Sequence, residues 1–269
     1  TSNAIIAMVL VSLTSVIILG GLKRISNTAS KMVPSMVILY FVLVLFILIS
    51  NYEVVPKYFV MIFTDAVAAK NFKGEPFFGG VLGALILLGI RRGAFSNEAG
   101  IGTAPMAHGA AKTDEPVREG LVAMLGPAID TLVVCTLTAL AILVTGVWET
   151  TSDNGVSLTA SAFNHAMPGY GAYLLMICVL IFSVSSLFSY AYYGSKCLSF
   201  LIGADKKHYY NFIYIISIIL AVTTPFSMML NLIDGVFALM AIPTMISTII
   251  MAPRVVKEIK GYIERIKED

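Results

Sequence analysis

The sequence predicts an all-α membrane protein with several crossings, and three observations carry that prediction. Of its 269 residues 58% are apolar and 13% charged, and the mean hydropathy is +0.87. A soluble domain averages about 25% charged residues, so this chain has too little polar surface to coat a globule of 29 kDa. Apolar runs near the 20 residues that a membrane helix needs recur along the chain. The lysines and arginines concentrate in alternate loops, as orientation in a bilayer requires. Together these argue against a soluble enzyme, a nucleic-acid binder and a disordered chain. The net charge of +2 sets up no global field that would draw an acidic partner.

The runs follow in order. The opening Thr1-Ser2-Asn3 lacks an initiator Met, a basic n-region and a small-residue cleavage site. It therefore reads as the interior of a longer polypeptide and not as a signal peptide. Spans are predicted at 4–22 and 33–50. Segment 52–76 mixes apolar residues with Glu53, Lys57, Asp65, Lys70, Lys73 and Glu75, which predicts an amphipathic surface helix at 56–70. Stretch 77–112 is apolar at first and then rich in small and polar residues; 77–90 is expected to lie at the interface, with a crossing from near Gly89. Further spans are predicted at 121–147, 171–201, 210–224 and 227–252. Segment 148–168, with Asp153-Asn154-Gly155 as a turn signal, is expected to be an outer loop or cap. The tail 253–269 alternates Lys257, Glu258, Lys260, Glu264 and Arg265 and reads as a solvated or membrane-surface helix.

Seven crossings, with the C-terminal end inside, leave Lys57, Lys70, Lys73, Arg91 and Arg92 outside and the other 13 of the 18 Lys and Arg inside. Without a crossing in 77–112 the asymmetry largely vanishes. Cys135, Cys178 and Cys197 sit in apolar runs; their odd number and spacing exclude a disulfide framework. No zinc, nucleophile-elbow or phosphate-loop motif is present.

Polar residues within spans mark function by default. The densest stretch runs from Arg91-Arg92 through Ser96-Asn97-Glu98 to Gly100-Ile101-Gly102-Thr103 and Pro105. Glycine weakens a helix by about 1 kcal/mol against alanine, and Pro105 disfavours helical geometry at Ala104 while suiting the first turn of a new helix. The expected form is one half-helix ending near Ala99, unwound backbone at 100–103 and a second half-helix from about Pro105. Unwound backbone survives at membrane depth only where it lines a cavity. Its amides, with the positive end of the second half-helix, then suit a carboxylate. An ordinary kink is the structural alternative.

A second cluster is Phe182-Ser183-Val184-Ser185-Ser186 with Ser189 and Tyr190. Isolated serines commonly bond a carbonyl one turn back. The neighbouring hydroxyls of Ser185 and Ser186, with the Phe182 carbonyl on the same side, form the kind of oxygen set that a hard cation takes, provided that the helix ladder is perturbed there. Asp130, after Gly126-Pro127, and Asp234 are either relays or locally paired groups.

The run from Gly93 to Pro105, followed by His108-Gly-Ala-Ala-Lys-Thr-Asp-Glu-Pro-Val-Arg118, resembles the sodium:alanine/glycine symporter family. So do Gly120 to Gly126 with Asp130 to Thr136, Tyr192-Tyr-Gly194 and Ala238 to Pro243. The resemblance covers essentially the whole chain. It implies the LeuT-type fold of two inverted five-helix repeats in the amino acid–polyamine–organocation superfamily. Residues 1–51 would be the last two helices of the first repeat, 52–88 an extracellular segment, 89–252 the second repeat and 253–269 a cytoplasmic tail. It implies substrate contacts at Gly100, Ile101, Gly102, Thr103, Ser186 and Tyr190, and sodium ligands at Phe182, Ser185 and Ser186. Tyr190 stands where the family often has Trp, and Ser189 where it often has Gly, so pocket size departs from the family pattern. The first broken helix, with its Gly-Thr-Gly-Asn-type motif, is absent here; the rest of the site would come from the remaining N-terminal portion of the transporter.

The function so implied is symport of alanine or glycine with sodium across the plasma membrane, without covalent chemistry and without a cofactor beyond the coupling ion. A proton-coupled carrier of the same fold, with Asp130 or Glu98 as relay, is the near alternative. A channel or non-transporting scaffold is the distant one.

Overall fold

Every regular element among the described residues is helical, as the apolar periodicity requires. The structure is a computed structural model that describes residues 2–18, 21–68, 81–98, 100–203 and 206–268. The expectations attached to Lys70, Lys73, Glu75, residues 77–80 and Ala99 lie outside the described residues.

The elements are α1 (Ser2–Ile18), α2 (Gly21–Ser50), α3 (Val55–Ala68), α4 (Val81–Ser96), α5 (Ala104–His108), α6 (Pro116–Ala128), a π-helical stretch (Ile129–Cys135), α7 (Thr136–Thr145), α8 (Val147–Thr150), α9 (Val156–Ala166), α10 (Gly171–Ile202), α11 (Lys207–Thr223) and α12 (Phe226–Glu268). Among the described residues four stretches are long and apolar enough to cross a membrane: Ser30–Ser50, Pro116–Thr145, Gly171–Ile202 and Ser227–Glu268. The chain is thus a multi-pass membrane protein.

Three elements add detail to the sequence expectation. α4 runs through Gly89 without a break, so no separate interfacial helix ends there. Segment 148–168 folds into two short helices, α8 and α9, where a loop or cap was expected. The tail continues α12 through Pro243 and Pro253. At about 1.5 Å per residue a 43-residue helix extends about 65 Å, twice the roughly 30 Å hydrocarbon core, so the charged tail needs no joint to leave the bilayer.

The chain divides into two units, one of residues 1–85 and 132–218, the other of residues 86–131 and 219–269. In the first, α10 packs on α2, α9 and α1, and α7 packs on α9 and α2. Val44, Ile47, Ala141 and Phe163 are fully buried there. Two half-buried tyrosines of this unit have partners: the Tyr40 hydroxyl meets Thr138, and the Tyr214 hydroxyl donates to the Leu187 carbonyl at 2.8 Å, whereas the buried Thr14 hydroxyl has none among the described residues. In the second unit α6 packs against α5 and α12.

Candidate functional site

The break predicted at 100–103 is present, and its geometry is specific. α4 ends at Ser96. Glu98, Gly100 and Gly102 then take φ of 52°, 77° and 83°, alternate residues in the left-handed region. For Glu98, the non-glycine among them, that conformation costs about 1–2 kcal/mol. Within the break Ile101 N–H reaches the Glu98 carbonyl at a long 3.5 Å. The amides of Gly100, Gly102 and Thr103 make no backbone hydrogen bond among the described residues.

Thr103 sharpens the picture. It stands at the N-cap of α5, where threonine ordinarily bonds an amide of the first turn, yet its side chain makes no capping bond. The residue is 2% exposed, and Oγ1 has no partner among the described residues. A buried unsatisfied hydroxyl costs about 1–3 kcal/mol. Beside it Ile101 is 6% exposed and supplies a small apolar wall.

The second half-helix is short. α5 spans five residues, with Pro105 in its first turn, so it sums few peptide dipoles. Any anion held here would be held by the amides of the break and not by a helix end. A loop follows α5 and is tied from two sides: His108 Nδ1 lies 2.7 Å from Glu119 Oε1, and Arg265 Nη2 lies 2.8 Å from Glu115 Oε2.

What holds the break was not visible in the sequence. Ser96 Oγ donates to Asp130 Oδ2 at 2.6 Å. Asn97 and Thr131 exchange hydrogen bonds, Nδ2 to Oγ1 at 2.8 Å and Oγ1 to Oδ1 at 3.1 Å. Two consecutive residues at the end of α4 thus grip two consecutive residues of the π-helical stretch. Such stretches accompany functional sites. The signal for it was Gly126-Pro127 just upstream, where the helix ladder loses a donor. Asp130 is therefore a paired group here, and Asp234 lies 3.6 Å from Arg92 Nη2.

A cavity of about 450 Å³ adjoins the break, lined by Gly102, Pro105, Thr244, Ser247, Thr248 and Met251 among others. Its three hydroxyls donate one turn back, to Met240, Pro243 and Thr244 carbonyls at 2.8–2.9 Å, and so face the cavity as acceptors.

Phe182, Ser185, Ser186 and Tyr190 lie together on α10, in the other unit. The expected perturbation of the ladder is absent, because α10 is unbroken. Ser185, 6% exposed, donates to the Phe182 carbonyl at 2.8 Å, and Ser189 donates to the Ser185 carbonyl at 3.2 Å. The bond holds Ser185 Oγ beside the Phe182 oxygen, whose two lone pairs are engaged by that hydroxyl and by the helix amide of Ser186; the Ser185 oxygen keeps its acceptor capacity. Ser186 is half-buried. Tyr190, also half-buried, stacks edge-on to Tyr193 at 5.8 Å.

Comparison with known proteins follows this geometry. The family described as the sodium:alanine symporter family matches residues 1–269. The chain belongs to this family. It is 36% identical to the sodium/alanine symporter AgcS of Methanococcus maripaludis over 98% of the chain and 58% of that protein. An uncharacterized transporter of Haemophilus influenzae is 35% identical over 97% of the chain and 57% of that protein. The probable sodium/glutamine symporter GlnT of Bacillus subtilis is 31% identical over 99% and 55%. The chain spans a little over half the length of these relatives. They are named as transporters and symporters, not enzymes.

Proposed function

We propose that the chain forms part of a sodium-coupled symporter for a small neutral amino acid, alanine or glycine, in the plasma membrane. The observation that carries this reading is the break at Gly100–Thr103. Amides without a backbone partner and a buried hydroxyl without one, among the described residues, are each unfavourable. A carboxylate satisfies both together, by accepting from the amides of Gly100 and Gly102 and from Thr103 Oγ1. Ile101, beside the break, supplies an apolar wall for a small side chain.

Sodium is assigned to Ser185, Ser186 and the Phe182 carbonyl, with further ligands from the portion of the family outside the matched stretch. The fold proposed is the LeuT-type inverted repeat with seven crossings: the four long stretches, α1, α11 and the broken α4–α5. In that arrangement the C-terminus is cytoplasmic, since the basic residues then sort inward. Ion binding between Ser185, Ser186 and the family's first broken helix favours that helix's unwound conformation, and substrate shifts the population toward closure. Sodium is the coupling ion, and no other cofactor enters.

The test is uptake of labelled alanine into vesicles of the full-length protein, with sodium replaced by choline. Uptake that falls to background supports sodium coupling. Undiminished uptake overturns it and favours the proton alternative. Absence of saturable uptake overturns the transporter reading. Competition by glycine and glutamine then sets the substrate.

A further inference from the structure

A second cavity, of about 490 Å³, lies in the same unit as the break. α4 contributes Arg91, Ala94 and Phe95 to it, and α12 contributes Asn231, Asp234 and Phe237. Ile101, from the break itself, also lines it. The cavity lining is chemically mixed. Its charged and amide members are Asp234, Asn231 and Arg91. Elsewhere its walls are apolar, with the Phe95 and Phe237 rings 4.9 Å apart between centroids.

Asp234 is 3.6 Å from Arg92 Nη2, and their side chains are 19% and 44% exposed. A charge-assisted hydrogen bond between such groups runs at about 2.7–2.9 Å. Asp234 thus has a cation nearby but is not locked to it, and it still faces the cavity.

We propose that this cavity is a loading site for a zwitterionic amino acid with a neutral side chain, distinct from the break. Asp234 receives the ammonium group. Arg91 and the Asn231 amide receive the carboxylate. Phe95, Phe237 and Ala238 hold the side chain. Both charges of a zwitterion are then compensated at once. A monocarboxylate leaves Asp234 without a new partner, an amine leaves Arg91 without one, and a charged side chain is set among aromatic rings. Ile101 belongs to both sites, so a solute leaving this cavity passes one side chain to reach the unwound backbone. The inference rests on the amino-acid symport reading and adds to it a selectivity step ahead of the break.

The experiment measures alanine uptake by the full-length protein in proteoliposomes, for Asp234→Asn, Arg91→Gln and the charge swap Arg92→Asp with Asp234→Arg. Loss of one charged hydrogen bond corresponds to about a tenfold change in affinity. The expected result is about a tenfold rise in KM for Asp234→Asn and for Arg91→Gln, with the maximal rate within about twofold. Alanine methyl ester, which lacks the carboxylate, inhibits the wild type weakly and gains no further weakness in Arg91→Gln. The charge swap leaves KM raised. An unchanged KM in both single variants overturns the inference alone, since wild-type uptake then stands. Full recovery of KM in the swap also overturns it, because the pair is then only a structural contact. Absence of saturable uptake by the wild type overturns the symport reading beneath it. Should Asp234→Asn fail to reach the membrane, Arg91→Gln with the ester competition carries the same decision.

Discussion

Gly100 and Gly102 share a backbone conformation but not a neighbourhood, and alanine at each separates two costs. Both have φ near +80°, where any L-residue loses about 1–2 kcal/mol. At Gly100 a methyl would lie 3.6 Å from Met245 Sδ. That is ordinary contact with a flexible thioether, so Gly100→Ala costs the backbone term alone. At Gly102 the methyl would lie 2.9 Å from Thr244 Oγ1 and 3.7 Å from its Cγ2, against an optimum of about 3.5–4.0 Å for carbon contacts. Thr244 yields poorly, because it is β-branched and its hydroxyl is bonded to the Met240 carbonyl at 2.9 Å. Overpacking of this kind adds about 1–3 kcal/mol. Gly102→Ala should therefore cost roughly 2–5 kcal/mol in total. Thermal unfolding of the purified protein gives the assay: at roughly 2–4 °C per kcal/mol, Gly102→Ala melts several degrees below Gly100→Ala. Adding Thr244→Ala removes both offending atoms and should bring Gly102→Ala up to the level of Gly100→Ala. Equal melting of the two single variants, or no recovery in the double variant, would refute the packing of the break against α12.

Three further outcomes are expected. Asp130→Ala removes the acceptor of Ser96 and should lower alanine affinity by about 1.5–3 kcal/mol of lost charged hydrogen bonding; Asp130→Asn, which keeps an acceptor, should lose less than half of that. A cycle of Ser96→Ala with Asp130→Ala should be strongly non-additive, and additive losses would show that the two do not act together. Ser185→Ala with Ser186→Ala should raise the sodium concentration for half-maximal uptake about tenfold; an unchanged value would leave Ser185 as a hydroxyl that only back-bonds to Phe182. Phe163→Ala, at a fully buried position stacked on Tyr40 at 6.1 Å, should cost about 3–5 kcal/mol by thermal unfolding without moving the KM for alanine.

The helices were legible because their signal is local. A run of about 20 apolar residues has few alternatives, so 33–50 lies inside α2 and 171–201 inside α10. The location of the break was legible for the same reason, since Gly100, Gly102 and Pro105 act on their own backbone. What restrains the break was not legible. Ser96 and Asn97 meet partners 34 residues away, and only folding brings them together. The length of α5 escaped because Pro105 marks where a helix begins and says nothing of where it ends. Pro243 and Pro253 show that a proline need not end a helix. Proline ends helices in water, but within a long membrane helix the lost bond is tolerated, and α12 continues through both.

The restraint and the imbalance of the break belong together. Left alone, a segment whose amides lack backbone partners among the described residues, with a left-handed glutamate, would recover hydrogen bonds by extending α4 or α5. The paired contacts of Asp130 and Thr131 fix the end of α4 at Ser96 and oppose the first route. Pro105, which cannot donate, opposes the second. The segment is therefore kept short of partners, with the Thr103 hydroxyl alone worth about 1–3 kcal/mol once satisfied. A solute that completes it gains that amount over one that does not, a factor of roughly 5 to 150 in affinity. Discrimination between a solute with a carboxylate and one without then follows from the unmet hydrogen bonds of the break, and weakening its restraint at Asp130 should erode that discrimination before it erodes the fold.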